Sequence, residues 1–410
     1  MSATLTARMK AVEVRPASPE EMLQLGALGA YVYAGSFGDE DDNVISQSNL
    51  PEWTTCAFLD GKLISSLTAI PFTMRANGAA VKLAGVSTVG TLPEYRRQGL
   101  SRRIITESMA RMRADGQAVA ALWASQAGIY QRYQYAAASV QRNYAIDVAD
   151  IVFHDGDYGS ADVARINLGE AFDRVKQVYI RFIADRMCYL HRSKALWQMN
   201  ALEETPADGP IHIAMATTAA GDEGYIIYTV RSGRNDHRAR SQEMKVRELV
   251  ATTPDAYRSL WRFIAGHDLV GRVVFNHQPM DDPAFELIQE PRMLHAEDAE
   301  GIWLRIVDVE QALAERGYSD AGKLRITVST DRLADWNAGT FELEADPNGA
   351  VVRRVDGPGD ITLTPKSLAS LYSGFRSARE LHSWGLLEGD AAAADRVFAT
   401  HHGPHSPDHF

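Results

Sequence analysis

The hydrophobic positions at the start of the chain change from a strand spacing to a helical spacing. The run VEVR, residues 12–15, alternates as a β-strand does, and a helical pattern begins soon after it. Ser18 is a good N-cap, and Glu21 stands where it completes a capping box. The pattern therefore predicts a short strand followed by a helix.

Three β-rich runs follow between residues 54 and 91. The dipeptides Asp60-Gly61 and Asn77-Gly78 separate these runs, and both are typical of tight hairpin turns. The pattern predicts an antiparallel meander that ends near Thr91.

The next segment returns to a helical period and then to a buried strand. The helix is predicted over residues 100–113, because apolar residues recur there at helical spacing, and ADG at 114–116 ends it. AVAALWAS is then predicted as a buried strand, and SQAGIYQRYQY as a short helix. The apolar positions of the first helix are Leu100, Ile104, Ile105, Met109 and Met112.

The remainder of the chain continues as a mixture of helices and strands. Residues 161–204 are predicted to be mostly helical, followed by strands at HIAMATT, GYIIYTVRSG and MKVRELVAT and by a helix capped by Thr253. From Ile302 we expect a strand, a helix, four strands and a helical region. The fold class is therefore α/β (α+β), in several domains.

Composition limits the classes of function. With 410 residues, 45% of them hydrophobic, the chain is long enough for two or three globular domains. No apolar run approaches the roughly 20 residues that span a bilayer, and the start lacks a secretory pattern, so we expect no membrane partner and a cytoplasmic protein. A formal charge of −11 disfavours nucleic acid as a partner. Cys56 and Cys188 have no second cysteine at ligand spacing, so neither a disulfide framework nor a metal site is expected.

One motif joins the meander to the helix that follows it. Arg96-x-x-Gly99-x-Ser101 stands at a strand–helix junction, with Arg97 and Arg102 beside it. Unpaired N–H groups and the positive dipole end of a helix attract phosphate, and glycine allows close approach. An ordinary solvated strand–helix turn would have the same local sequence.

The order strand, helix, meander, helix, strand, helix around this motif resembles the GNAT superfamily of acyl-coenzyme A N-acyltransferases. GIYQRYQYAAAS, IWLRIVDVEQALAERGY, the length and the aromatic last residue further resemble the Eis (enhanced intracellular survival) family. That resemblance implies a catalytic GNAT domain at 1–150, a GNAT-like domain without a cofactor site at 151–301, and a sterol-carrier-protein-like domain at 302–410. It also implies acetyl-coenzyme A as cosubstrate, a small-molecule amine such as an aminoglycoside as acceptor, no metal, and a homohexamer.

The resemblance assigns cofactor contacts residue by residue. The strand before the motif would pair with pantetheine, the turn and helix start would hold the pyrophosphate, and two residues after the next strand would add contacts. These residues are Val89, Gly90 and Thr91, then Arg96, Arg97, Gln98, Gly99, Leu100, Ser101 and Arg102, and finally Ser125 and Gln126.

The resemblance also implies the acid and the base. Tyr130 matches the tyrosine of the family's GIY segment and would protonate the departing thiolate, and a phenol is protonated at neutral pH. Tyr133 and Tyr135 lie close by, only the register of GIY selects Tyr130, and a tyrosine that serves packing alone is the alternative. The terminal carboxylate of Phe410 would be the base; a carboxylate in the acidic run 39–42 is the alternative. His409 departs from the family, in which an acidic residue precedes the terminal aromatic one. Without the resemblance, HHGPHSPDHF reads as a frayed or metal-binding end.

The acidic run FGDEDD, residues 37–42, is the candidate surface for a cationic acceptor. Asp39 matches a substrate-pocket carboxylate of the family, and Phe37 and Trp123 would line the pocket. A solvated loop and a core tryptophan are the alternatives.

Two other classes of function remain open: a carrier of lipid or another hydrophobic ligand, and a protein that binds acetyl-coenzyme A without turnover. A hydrolase is disfavoured, because neither Ser87 nor Ser125 lies in a Gly-x-Ser-x-Gly elbow.

Overall fold

The computed structural model describes residues 11–35, 49–233 and 240–410. Within these ranges the chain forms three β-sheets, of eight, seven and five strands, with helices packed against them.

The strands and helices are numbered in chain order. The strands are β1 (Glu13–Arg15), β2 (Thr54–Leu59), β3 (Lys62–Ala76), β4 (Ala79–Thr91), β5 (Val119–Leu122), β6 (Ala136–Ala137), β7 (Val140–Asp147), β8 (Asp162–Ile166), β9 (Met187–Leu190), β10 (Ile211–Thr218), β11 (Gly221–Ser232), β12 (Gln242–Ala251), β13 (Val270–Gln278), β14 (Glu297–Glu300), β15 (Trp303–Ile306), β16 (Gly322–Val328), β17 (Gly339–Asp346), β18 (Gly349–Val355), β19 (Ile361–Leu363) and β20 (Leu387–Gly389). The helices are α1 (Met22–Tyr33), α2 (Leu100–Ala114), α3 (Ala127–Gln131), α4 (Leu168–Phe182), α5 (Lys194–Met199), α6 (Pro254–Ala265), α7 (Ala284–Leu287), α8 (Val309–Glu315), α9 (Pro365–Tyr372), α10 (Ala378–Ser383) and α11 (Ala391–Phe398).

The first sheet has the strand order β1-β2-β3-β4-β5-β15-β6, and β9 adds to the far end of β3. The meander β2–β3–β4 is confirmed. Both central residues of each hairpin turn have positive φ, 51° and 75° at Asp60-Gly61 and 54° and 93° at Asn77-Gly78. That combination defines the turn whose twist matches the flanking strands.

Helix α2 packs on one face of this sheet, as its sequence pattern predicts. All five of its predicted apolar positions are buried. The first helical segment is also confirmed, since Glu21 accepts a hydrogen bond from the Ser18 N–H at 2.8 Å ahead of α1.

The second sheet has the order β14-β7-β13-β12-β11-β10-β8. Helix α6 begins where the sequence predicts, with the Thr253 hydroxyl accepting from the Ala256 N–H at 3.3 Å. The expectation of a mostly helical segment at 161–204 is wrong in part, because β8 and β9 lie within it. All four residues of β9 are buried, and a short apolar run of this kind has no period that separates strand from helix.

The third sheet has the order β18-β17-β16-β19-β20, and its core is continuous with one face of the first sheet. At each of the expected boundaries near 150 and 301, a strand on one side of the boundary belongs to the sheet formed mainly by the other side. β7 lies in the second sheet, and β15 pairs with β5 and β6 of the first. After α11 the chain turns back to the first sheet, where the His405 N–H donates to the Met187 carbonyl at 3.0 Å.

Candidate active site

Two parallel strands of the first sheet separate near its centre. β4 pairs with β5 from Leu83 with Val119 to Gly85 with Ala121. β5 ends at Leu122, whereas β4 continues to Thr91 along β3. In the part of the chain that is described, the β4 edge beyond Gly85 therefore faces a gap, and Val89, Gly90 and Thr91 lie along it.

A β-bulge shapes the strand at this gap. Thr88 has φ of +47°, and the pairing of β3 with β4 shifts register beside it. The carbonyls of the next two residues already have hydroxyl donors: Tyr33 donates to Val89 at 2.9 Å, and Ser65 donates to Gly90 at 2.7 Å. Bulges of this kind re-aim groups next to functional sites.

The turn after β4 leaves the start of α2 uncapped. Gly99 is the N-cap with φ of +84°, and no side chain caps the helix. A Cβ built on Gly99 would meet nothing within 4 Å, so its backbone is open to a ligand. The first N–H groups of α2, at Leu100, Ser101 and Arg102, have no acceptor within a helix. This arrangement fits a pyrophosphate group.

The polar side chains of the turn do not all point outward. Arg96 Nε donates back to the Thr91 carbonyl at 2.9 Å, and Gln98 Nε2 donates to the Glu94 carbonyl at 3.1 Å. Arg97, with φ of +61°, and Arg102 are exposed and add positive charge near the helix start.

Tyr130 lies on α3, on the α2 side of the first sheet. Its ring is buried, and burial together with the nearby Tyr33 raises the pKa of Tyr130 to about 12, with Ser125 as a hydrogen-bond partner. Tyr135 packs edge-on against it at 5.9 Å and is buried as deeply. Ser125 and Gln126, just before α3, are exposed.

Phe410, the last residue, lies on the opposite face of the same sheet. Its ring centroid is 5.0 Å from that of Phe72. A Cβ on Gly85 would lie 2.3 Å from the Phe72 ring and 3.0 Å from the Phe410 ring, so only glycine permits this approach. The end of the chain therefore meets β4 at the point where β5 leaves it.

The two faces can be assigned from the packing. Ala84 and Val86 share a core with Tyr130, whereas Leu83 shares the other core, against which Phe410 packs. Successive strand residues point to opposite faces. Tyr130 and Phe410 thus lie on opposite sides of the gap between β4 and β5.

The residues just before Phe410 are held firmly. Trp123 Nε1 donates to the Asp408 carbonyl at 2.9 Å, and the Trp123 ring stacks on His409 at 3.8 Å. Trp123 is half-buried and contacts the C-terminal tail. Burial lowers the pKa of His409 to about 4, so its ring is neutral at physiological pH.

A cavity of about 950 Å³ opens beside Phe410 along residues 69–73 of β3. Among the described residues that line it, Glu52 and Asp115 are acidic and Lys82 and Arg111 are basic. Two candidate acceptor residues, Phe37 and Asp39, and the whole acidic run to Asp42 lie outside the described residues.

The second sheet repeats the separation of parallel strands, but its following helix has no uncapped start like that at Gly99. β12 and β13 pair as far as Val246 with Phe275, and a cavity of about 400 Å³ lies beyond. The helix that follows, α6, begins with a side-chain cap and with Asp255 in its first turn. A carboxylate at this position repels phosphate.

No group of three or more His, Cys, Asp or Glu side chains among the described residues could hold a metal ion. Likewise, within those residues no helix is long and apolar enough to cross a membrane.

Several site residues escape prediction from sequence. Tyr33 lies on α1, and Arg192, Asn200, Glu248 and His277 come from the second part of the chain. Arg192, Asn200 and His277 contact the C-terminal tail. Glu248 binds Arg192, and Tyr33 donates to the Val89 carbonyl. No spacing or motif in the sequence connects any of these residues with the site.

Comparison with known proteins divides the chain into three matches. Residues 13–138 match an acetyltransferase (GNAT) domain, and residues 188–306 match a second acetyltransferase (GNAT) domain. Residues 309–407 match a sterol carrier protein domain. GNAT domains in general use acetyl-coenzyme A.

Relatives cover most of the chain. An N-acetyltransferase of Streptomyces avermitilis is 29% identical over 88% of this chain and 89% of its own length. The N-acetyltransferase Eis of Mycobacterium tuberculosis is 30% identical over 73% of this chain and 72% of its own.

Solved structures agree with this division. A GCN5-related N-acetyltransferase from Anabaena variabilis superposes with a TM-score of 0.85 at 25% identity, covering 97% of this chain and 100% of that one. Eis1 from Mycobacterium abscessus has the same fold, with a TM-score of 0.82 at 24% identity and the same coverage. The chain belongs to the Eis family of N-acetyltransferases, acyltransferases built from two GNAT domains and a C-terminal sterol-carrier-protein-like domain.

Proposed function

We propose that this protein transfers an acetyl group from acetyl-coenzyme A to primary amines of polycationic substrates such as aminoglycosides or lysine-containing peptides. One observation carries the proposal. A buried tyrosine, Tyr130, and the chain terminus, Phe410, lie on opposite faces of the first sheet at the gap between β4 and β5. An acid and a base so arranged can serve the two sides of an acyl transfer.

Acetyl-coenzyme A, when bound, supplies an acetyl group activated as a thioester. The β4 edge at Val89, Gly90 and Thr91 would pair with its pantetheine amides. The start of α2 would hold the pyrophosphate with the N–H groups from Gln98 onward. Arg96, Arg97 and Arg102 would supply charge, and Ser125 and Gln126 further contacts. The uncapped helix start supports this assignment.

Tyr130 is the proposed general acid. Its raised pKa, about 12, keeps the phenol protonated at neutral pH, so that it is in the form that can donate a proton. Tyr135, on the core side of Tyr130, is disfavoured because its hydroxyl is enclosed by the core.

The α-carboxylate of Phe410 is the proposed general base. It is an ionised acceptor at neutral pH, and the packing of the Phe410 ring on Gly85 and Phe72 brings the terminus to the gap. It would take the proton from the attacking amine directly or through one water.

The acceptor is proposed to enter through the cavity beside Phe410. Its lining carries two acidic residues, Glu52 and Asp115, and two basic ones, Lys82 and Arg111, so the charges of this cavity alone do not select a cationic acceptor. Phe37, Asp39 and Trp123 are proposed to complete the pocket. We further propose that the second GNAT-like domain, about residues 151–301, binds no cofactor, and that the protein assembles as a cytoplasmic homohexamer. Sedimentation equilibrium of the full chain would test the assembly.

Amine-dependent release of coenzyme A by three chains tests the function: the native chain, a chain extended by one glycine after Phe410, and a chain lacking Phe410. Both altered chains should bind acetyl-coenzyme A as the native chain does and lose roughly 10²-fold or more in kcat, as expected for a displaced general base. Full activity of the extended chain would refute the role of Phe410 and direct attention to the carboxylates of residues 39–42. Absence of any amine-dependent release from the native chain would refute the acetyltransferase proposal.

A further inference from the structure

A buried ion pair links the C-terminal tail to the second domain. Arg192 Nε donates to Asp408 Oδ1 at 2.7 Å, and both side chains are almost completely buried. Another edge of the guanidinium donates two hydrogen bonds to Glu248, from Nη1 at 2.9 Å and from Nη2 at 2.5 Å. Tyr225 in turn donates to Glu248 Oε2 at 2.6 Å.

Aromatic rings hold the guanidinium of Arg192 in this orientation. It lies 4.2 Å from the ring centroid of Tyr179 and 4.4 Å from that of Trp197, and both rings belong to the core of the second sheet. Cation–π contacts of this kind fix a planar cation as well as stabilise it. The tail is therefore attached to a rigid partner.

A second contact fixes the next residue of the tail. The His409 N–H donates to Asn200 Oδ1 at 2.8 Å, and Asn200 Nδ2 donates to the His409 carbonyl at 3.1 Å. One amide side chain thus satisfies both backbone groups of His409. The ring of His409 lies between Trp123 and His277. The Nδ1 atom of His277 is 3.3 Å from His409 Nε2.

We propose that Asp408 and Arg192 are positioning residues, which set the place of the terminal carboxylate along the tail for catalysis in the first domain. This inference rests on the proposed function of Phe410. Asp408 and the backbone of His409 are both fixed, so only the backbone torsions of Phe410 can move the terminal carboxylate. The carboxylate therefore stays within roughly 7 Å of His409. The second GNAT-like domain then serves the reaction by holding the base.

The choice of variant follows from the charges. Removing Arg192 would leave Asp408 and Glu248 buried without a cation, and such a protein can fail to fold. Asp408→Ala instead leaves Arg192 paired with Glu248, so the domain keeps a buried ion pair without net charge, and only Arg192 Nε loses its acceptor. Asp408→Asn keeps an oxygen that can accept from Arg192 and is the conservative control.

The experiment measures the steady-state kinetics of acetyl transfer and, separately, the release of Phe410 by a carboxypeptidase specific for aromatic ends. Asp408→Ala should lower kcat roughly tenfold to hundredfold, the range expected from losing one hydrogen bond to a charged group, with KM for acetyl-coenzyme A unchanged. It should speed Phe410 release by a similar factor. Asp408→Asn should stay within about threefold of the native chain in both measurements.

A control removes a partly exposed ion pair of the second sheet that makes no hydrogen bond to the tail. Asp298→Ala breaks a bidentate pair with Arg142 at 2.6 and 2.9 Å and should change neither kcat nor Phe410 release. If Asp408→Ala does not fold, Asn200→Ala tests the same attachment through His409.

The outcomes separate this inference from the proposed function. Native kcat and native Phe410 release in Asp408→Ala, while the glycine-extended chain is inactive, would overturn the positioning role and leave the base in place. Full activity in the glycine-extended chain would instead overturn the base itself.

Discussion

Asp408 makes the stability of this protein depend on pH in an unusual direction. Burial, with Glu248 nearby and despite the opposing effect of Arg192, raises the pKa of Asp408 to about 6 from an ordinary value of 3.8. An acid with a raised folded pKa binds more protons in the native state than in the unfolded state between those two values. Its contribution to stability therefore falls as pH rises through that window.

The magnitude follows from the difference between the two pKa values. At 1.36 kcal/mol per pKa unit, the ionisation of Asp408 lowers the free energy of unfolding by about 3 kcal/mol in total. Roughly 2 kcal/mol of this loss falls between pH 4.5 and 7.5. Asp408→Asn has the same shape and cannot ionise. It should therefore become more stable relative to the native chain by roughly 2 kcal/mol as pH rises from 4.5 to 7.5.

Other groups around the tail titrate as well, and the comparison of two chains removes their effect. Burial lowers the pKa of His405 to about 3 and that of His409 to about 4, which favours folding as pH rises, the opposite sign. Both histidines are present in the native chain and in Asp408→Asn, so their contributions cancel in the difference.

The assay is urea unfolding of both chains at several pH values, followed by the same fluorescence signal. The quantity of interest is the change with pH in the difference between their unfolding free energies. A difference that stays constant from pH 4.5 to 7.5 would refute the assignment of a raised pKa to Asp408. A difference of the opposite sign would mean that Arg192 outweighs burial.

Three further predictions concern the first domain. Tyr130→Phe should lower kcat by roughly 10²-fold with little effect on acetyl-coenzyme A binding, and near-native single-turnover rates would remove it as the acid. Gly99→Val should weaken acetyl-coenzyme A binding in calorimetry, because valine at φ of +84° is strained and its side chain would occupy the open approach to the helix start; unchanged affinity in a folded variant would contradict the assigned turn. Gly85→Ala should displace the rings of Phe72 and Phe410, since the added Cβ would lie 2.3 Å from the Phe72 ring. This variant should have a lower kcat and a faster carboxypeptidase release of Phe410. Native values of both quantities would show that the ring contact is dispensable.

The fold was largely predictable where signals are local. Four local features are confirmed: the capping box of Ser18 and Glu21, the Thr253 cap, the two Xaa-Gly hairpin turns and the helical period of α2. Each depends on residues that are close together in the chain. The strand β9 was missed because four apolar residues carry no period, and its partner β3 lies more than 100 residues away.

The candidate site divides in the same way. The turn Arg96-x-x-Gly99-x-Ser101 is contiguous, so its place at a helix start followed from the sequence. The sequence did not predict that β7, before the boundary near 150, joins the second sheet, or that β15, after the boundary near 301, joins the first. Pairing between strands that are distant in the chain depends on which sheet edges are unpaired in the folded protein.

The sequence by itself determined the local elements, the helix start suited to phosphate and the family resemblance, because each rests on neighbouring residues. Only the tertiary structure decided that Tyr130 and Phe410 lie on opposite sides of the gap between β4 and β5. It also decided that Asp408 pairs with the guanidinium of Arg192. Residues 192, 248 and 408 meet through packing of separate parts of the chain. The free energy of the interactions among these three charged side chains depends on how deeply they are buried, and no local pattern of residues encodes that burial.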